Sequence, residues 1–424
     1  MLTLTNARLF DGGALLPGRR SVTLDENRIV AVGEQPPAGA ERTIDLGGLT
    51  LMPGLITCHL HADFYKFTLA EGLAGEPLGK ELPPGVLMAI GVRTCQVLLE
   101  SGFTGYVGAS CSNDVDAQLK IAIAEGIVPG PRIRACSHHL GTTADLNDSR
   151  KWWRRFTAPG TDLFVDGPDD MRRQVREEIR RGAETIKFFA STGHGFGGRT
   201  VRNMSREEIS TLVETAHQRG AKVRTHVSDK AMILECLELG VDVIDHGDEV
   251  DEEVIEAMAK ANAFWVPSQI YTKSLIDLGW GDPGAQAAYD NVLKMLPLAQ
   301  KAGVRILVGD DYSGVLRDIL PDDTLDHQVG RYGREFGFYG ALEGLSAADV
   351  LGWGTKNAGE LLAGAPGQVG VVEPGALADL IVVDGDPLTD LSLLARPQEA
   401  LKAVIRDGAF VIDRLPPQAR RLAA

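Results

Sequence analysis

The sequence predicts an α/β fold, a (β/α)8 TIM barrel joined to a small β-sandwich built by both chain ends. Three observations predict it. Between residues 53 and 360, eight short apolar runs alternate with helical patterns. The beginning and the end of the chain share a different grammar, of short alternating strands broken by Gly and Asp turns. Polar residues gather where the apolar runs stop.

The sandwich comes first along the chain. LTLTNARLF (2–10) alternates, a Gly-Gly turn follows, and SVTLDENRIVAVG carries an internal turn at Asp25, Glu26 and Asn27. GVVEPGALADLIVVDG (370–385) and LKAVIRDGAFVID (401–413) repeat this pattern. Neither end buries both faces of its strands alone. We therefore expect 1–52 to pair with 361–424, with 53–360 inserted between them as the barrel.

The barrel strands are expected at GLITCHLH (54–61), FTGYVGA (103–109), RIRACSH (132–138), TIKFFAS (185–191), KVRTHVS (222–228), DVIDHG (242–247), AFWVPSQ (263–269) and VRILVGDD (304–311). Amphipathic helices are expected between them, at 168–182, 205–220 and 252–262. Ser205 and Glu208 have capping-box spacing, and Gly220 ends that helix. The segment 62–85 is an insertion after the first strand, placed to cover a site.

Composition narrows the function. The chain has 424 residues and 44% hydrophobic content, enough for one large domain and a smaller one. A net charge of -15 gives non-specific nucleic-acid binding no electrostatic support. Cysteines 58, 95, 111, 136 and 236 form no Cys-x-x-Cys pair and read as reduced, which fits a cytoplasmic setting. The start lacks signal-peptide character, and no run reaches the roughly 20 apolar residues of a membrane span.

The polar residues at strand ends carry the chemistry. His59 and His61 end strand one, with period two, so both imidazoles face one side. His226 ends strand five, His246 strand six, and Asp310 with Asp311 strand eight. In a barrel these ends converge on one mouth. Nitrogen and carboxylate donors together suit zinc, with cobalt, manganese or iron as alternatives. Lys187, among apolar neighbours in strand four, is costly if buried and charged. It needs an acidic partner, a lost proton, or a carboxylate gained from CO2.

Taken together, these pieces resemble the amidohydrolase superfamily. LTLMPGLITCHLH resembles its first-strand signature Pro-Gly-Leu/Phe-Ile-Asp-x-His-x-His, with Thr57 in the usual Asp position. ETIKFFASTG resembles the strand-four motif of the prolidase-like branch, whose lysine is carboxylated. DVIDHG resembles Ile-Glu-His-Gly, ILVGDD resembles the Gly-Thr-Asp of strand eight, and VVEPGALADLIVVDGDP resembles the C-terminal sandwich motif. The stretch from GDDYSG through Asp326 and His327 to GRYGREFGFYGALEGLSAADVLGWGTKNAGEL is reminiscent of phenylurea and thiocarbamate (molinate) hydrolases.

The resemblance implies that His59, His61 and Asp311 bind one metal, that His226 and His246 bind a second, and that carboxylated Lys187 bridges them. It implies Asp311 as the catalytic residue that moves the proton; with one metal instead of two, His246 or His139 would be the further catalytic residue, assisting charge at the carbonyl oxygen. Ser228 stands where the branch commonly has a substrate-orienting Tyr. Tyr65, His138, His194 and His327 are the other candidates for substrate contact, and Phe64, Phe67, Trp265 and Tyr271 for aromatic walls. The implied activity is hydrolysis of an amide-like C–N bond in an N-acyl amino acid, dipeptide, aryl urea or carbamate. Phosphotriester or lactone hydrolysis uses the same metal chemistry. A mononuclear deaminase usually lacks the strand-four lysine, so Lys187 weighs against it. A dihydropyrimidinase-like structural protein would have lost its ligands, whereas this chain keeps every candidate. Barrels of this type often associate, which predicts a homo-oligomer.

Overall fold

The computed structural model describes residues 1–37, 42–64, 82–145, 148, 150, 160–192, 200–277, 283–309, 311, 329–417 and 420–422. The opening strands are β1 (Leu2–Leu9), β2 (Arg20–Asp25), β3 (Arg28–Gly33), β4 (Arg42–Asp45) and β5 (Thr50–Pro53). The middle of the chain supplies β6 (Leu55–Leu60), β7 (Phe103–Gly108), β8 (Arg132–Arg134), β9 (Cys136–Gly141), β10 (Asp162–Phe164), β11 (Thr185–Phe189), β12 (Lys222–Val227), β13 (Val243–His246), β14 (Phe264–Val266) and β15 (Arg305–Ile306). The closing strands are β16 (Leu380–Val383), β17 (Leu401–Arg406), β18 (Ala409–Asp413) and β19 (Arg420–Leu422).

The two chain ends meet in one nine-stranded mixed sheet, whose path runs β18-β17-β16-β5-β1-β2-β3, with β4 joining β1 and β19. β1 serves two leaves. Its first half pairs with β2 and β4, its second half with β5. Between the halves Asn6 takes φ +56° at a register shift, a bulge that Asn tolerates. Leu4, Val22, Ile44, Leu51, Val382 and Ile405 fill the core between the leaves.

The middle strands are parallel. β6, β7 and β8 form one sheet, and β10-β9-β11-β12-β13-β14-β15 the other. Backbone hydrogen bonds join the two sheets into a ring: Cys58 N donates to Val308 O (2.8 Å), Asp311 N to His59 O (3.0 Å) and Cys111 N to Ser137 O (3.3 Å). The helix Lys356–Ala363 closes the lower end, where Leu361 and Leu362 pack on Ile56, Val107 and Leu307. Each helix expected from sequence forms, as Pro168–Arg180, Arg206–His217 and Glu252–Ala261. Ser205 and Glu208 complete the capping box.

Three strands differ from their expected form. Strand eight, expected over 304–311, is only the short β15, so Asp311 lies beyond the strand end. Strand seven, expected over 263–269, is only β14, and a helix begins at Gln269. Strand three runs on past His138 to Gly141, broken into β8 and β9 at Ala135. His138 and His139 therefore lie within a strand and point to opposite faces. No described helix is long and apolar enough to cross a membrane.

Candidate metal centre

The first two candidate ligands depend on a local fault in β6. Ile56 and Cys58 pack with Val243, Phe264, Val266 and Leu307 inside the barrel. Strict alternation would then turn His59 outward. Instead Thr57 pairs with Tyr106 and Leu60 with Gly108, so β6 takes one residue more than β7 over the same span. This bulge returns His59 and His61 to the inner face.

His59 Nε2 and His61 Nε2 lie 3.4 and 3.3 Å from Asp311 Oδ1. One ligand atom from each residue lies within 4.8 Å of the others, and all three residues are buried. Asp311 Oδ1 has no hydrogen-bond partner among the described residues. A buried carboxylate oxygen beside two imidazole nitrogens, unsatisfied among the described residues, fits a divalent transition metal. Burial holds the His59 pKa well below the usual imidazole range, with Arg224 and Lys187 adding to the effect. That direction favours the neutral ring, which can offer a lone pair.

His226 and His246 complete the cluster from β12 and β13. Their rings are 4.5 Å apart, the His246 ring is 5.3 Å from that of His59, and His246 Nε2 is 3.9 Å from Asp311 Oδ2. Ser110, His246, Ser268 and Asp311 follow or end β7, β13, β14 and β15 with φ of +154°, +69°, +50° and +54°. Non-glycine residues rarely adopt these values, and such strain concentrates at functional sites.

Below the histidines lies a charge network. Lys187 on β11 pairs in register with Arg224 on β12, which sets two cations side by side. Asp245 neutralises both. Its Oδ2 accepts from Lys187 Nζ (2.5 Å) and Arg224 Nε (3.1 Å), and its Oδ1 from Arg224 Nη2 (2.5 Å). Arg224 Nη1 also donates to Cys58 O (2.9 Å) and Gly108 O (2.7 Å), which ties β12 to the strands across the barrel. Burial lowers the Lys187 pKa, against the pull of Asp245. Burial alone would raise Asp245, but Arg224 and Lys187 outweigh it and hold the carboxyl low. Lys187 thus has the acidic partner that its position demanded.

The remaining candidates divide. His139 faces inward, its ring 5.7 Å from His61, with Nδ1 2.9 Å from Asp162 Oδ1 and Nε2 2.6 Å from Ser110 Oγ. His138 points to the outer side, where Nδ1 meets Glu178 Oε2 at 2.8 Å in a groove lined by Asp114, Leu163 and Arg173. That places it away from the histidine cluster. Ser228 is buried, and its Oγ donates to Thr192 O (2.8 Å). Phe64 stacks on His61 at 4.5 Å and 8°, whereas Trp265 is fully buried and donates to His246 O. Tyr65, Phe67, His194, Asp310 and His327 lie outside the described residues.

Sequence reasoning missed Arg224, Asp245, Ser110, Ser268 and Asp162. For Arg224 a signal existed, since it lies two residues before His226 and so shares its strand face.

The amidohydrolase family model matches residues 50–411. The chain belongs to the amidohydrolase family. It is 28% identical over 384 residues to ochratoxinase of Aspergillus niger, covering 82% of this chain and 73% of that protein. The crystal structure of A. niger ochratoxinase superposes with a TM-score of 0.82 at 25% identity, covering 98% of this chain and 96% of that one. A prolidase complexed with N-methylphosphonate-L-proline gives 0.80 at 28% identity, covering 97% and 99%. Phenylurea hydrolase B, at 20% identity and 0.70 over 97% of both chains, shares the fold. Family and constellation together make this amidohydrolase a metal-dependent hydrolase of carbon–nitrogen bonds.

Proposed function

We propose that this amidohydrolase cleaves the amide bond of an N-acyl amino acid or dipeptide-like small molecule. The observation that carries the reading is the meeting of His59 Nε2, His61 Nε2 and Asp311 Oδ1 in a buried site, where Asp311 Oδ1 has no hydrogen-bond partner among the described residues. Similarity to the prolidase and to ochratoxinase supports amides over ureas and carbamates, since phenylurea hydrolase B shares less sequence.

Zinc is our choice of metal, because imidazole nitrogens dominate the donors. His59, His61 and Asp311 would hold one ion. His226 and His246 would hold a second, with Lys187 as the bridge if it gains a carboxylate. A bound ion supplies Lewis-acid polarisation and a more acidic water.

The chain does the rest. Asp311 accepts a proton from the attacking water as oxygen bonds to the carbonyl carbon. It returns that proton to nitrogen as the C–N bond breaks, so an amine and a carboxylic acid leave. While Lys187 is an ammonium, its network with Arg224 and Asp245 keeps the floor of the site rigid and balanced in charge. Phe64 and Phe189 pack against His61 and His226 and keep water from those rings.

A substrate panel tests the reading. Zinc-loaded protein is assayed against N-acyl amino acids, Xaa-Pro dipeptides, aryl ureas, carbamates, lactones and phosphotriesters. Turnover of the amides is expected to lead, and Asp311→Asn is expected to lower it by about 10²- to 10⁴-fold. Turnover confined to lactones or phosphotriesters would overturn the assignment.

A further inference from the structure

We propose that Asp162 is a remote positioning residue for His61, acting through His139 and Ser110. The inference rests on the metal-site reading above and adds a device to it.

Four groups form one hydrogen-bonded chain. Asp162 Oδ1 is 2.9 Å from His139 Nδ1, His139 Nε2 is 2.6 Å from Ser110 Oγ, and Ser110 Oγ is 3.0 Å from His61 Nδ1. Ser110 is fully buried, and His61 and His139 nearly so. These groups come from β9, from β10 and from the residues that follow β6 and β7, so only the fold brings them together.

With Asp162 ionised and both imidazoles neutral, one end sets every direction. An ionised carboxylate only accepts, so His139 must carry its proton on Nδ1. Its Nε2 is then bare and accepts from the Ser110 hydroxyl. That hydroxyl has spent its proton, so its oxygen accepts from His61 Nδ1–H. The Ser110 carbonyl oxygen, 3.1 Å from the same nitrogen, can accept as well. His61 Nε2 is therefore left with its lone pair, and this is the atom 3.3 Å from Asp311 Oδ1. Asp162 thus fixes the tautomer of a metal ligand three hydrogen bonds away. Partners of this kind commonly set which imidazole nitrogen meets a metal.

The arrangement has a counterpart on the other strand-one histidine. Ser268 Oγ lies 3.1 Å from His59 Nδ1, again leaving Nε2 toward Asp311. Ser110 and Ser268 both adopt the positive φ noted above. The structure holds two serines in unfavourable backbone conformations, and each meets the non-ligating nitrogen of one histidine.

The test uses the full chain and zinc alone. Asp162→Asn offers His139 a donor as well as an acceptor, so the opposite chain direction becomes available. Zinc affinity, read by chelator competition, is expected to fall by about 10- to 100-fold in Asp162→Asn and in Ser110→Ala. Histidine-selective nitrogen NMR of the metal-free parent is expected to show His61 protonated at Nδ1, and a mixture of tautomers in Asp162→Asn. A purely structural role for Asp162 would leave that tautomer unchanged. Affinity within twofold of the parent in a folded Asp162→Asn protein would overturn the proposal. So would a parent His61 protonated at Nε2, a result that needs no variant to fold. Absence of zinc binding in the parent would instead sink the metal-site reading itself.

Discussion

His138 and Glu178 form a buried pair on the outer face of the barrel, apart from the histidine cluster. Burial pulls the His138 pKa down, but its bond to Glu178 outweighs this and leaves it raised. Burial pushes Glu178 up, and the bond to His138 outweighs that and leaves it lowered. A raised imidazole stabilises the fold fully below its unfolded pKa of about 6.5, and the benefit is lost as pH climbs through the folded value. A lowered carboxyl stabilises above its unfolded value of about 4.3, and that benefit is lost as pH falls through the folded one. Glu178→Gln is therefore expected to cost about 1–3 kcal/mol near pH 6 and progressively less toward pH 9. Thermal melts of both proteins across that range check this, and an equal loss at both ends contradicts it. At this scale the sequence was partly legible. His59, His61, His226, His246 and Asp311 announced themselves as polar residues closing apolar runs. His138 announced itself equally well and lies elsewhere, because β9 runs three residues beyond it and alternation sends it outward. Ser110 and Asp162 gave no signal, since their place in the site depends on contacts between strands far apart in sequence.

The strands set the candidate ligands through close backbone approach as well as through side chains. Where β15 leads into Asp311, Gly309 sits against β6. A Cβ there would meet His59 Cβ at 2.5 Å, Val266 Cγ1 at 2.6 Å and His59 N at 2.7 Å. None of these atoms is the free end of a flexible side chain. Gly309→Ala must therefore push the last strand away from the first, at the point where Asp311 N bonds His59 O. We expect it to lose about 1–3 kcal/mol of stability. We also expect zinc binding to weaken tenfold or more, by calorimetric titration. Unchanged zinc affinity would show that this closure does not set the ligand geometry. Short apolar runs made the strands readable, and the helical period made the helices so, with the Ser205 cap read as well. The bulge in β6 was not readable. The period-two spacing of His59 and His61 pointed to a shared face, but Ile56 and Cys58 share it too, and only the pairing with β7 reveals the extra residue.

Sandwich and barrel are joined by more than the chain that passes between them. Arg132, at the start of β8, pairs with Asp379 just before β16 and with Asp407 just after β17, the latter at 2.5 Å. Asp379 is almost wholly buried. Arg132→Ala leaves it without that partner, although the Asp407 amide still donates to it at 2.7 Å. The expected cost is about 3 kcal/mol, since removing one partner strands a buried charge. Differential calorimetry checks this. A melting temperature within a degree of the parent would show that the ion pairs do not couple the two layers. The meeting of both chain ends in one sheet was legible at this scale, because neither end can bury its strands alone. Arg132 as the link was not, since both of its partners lie more than 240 residues away.

The proposed chemistry depends on a divalent cation held by the converging histidines and Asp311. Anomalous diffraction at the zinc edge from crystals of the zinc-loaded protein tests this most directly. The predicted result is a peak about 2.0–2.2 Å from His59 Nε2, His61 Nε2 and an Asp311 carboxylate oxygen. A fully loaded crystal with no peak among these atoms would contradict it.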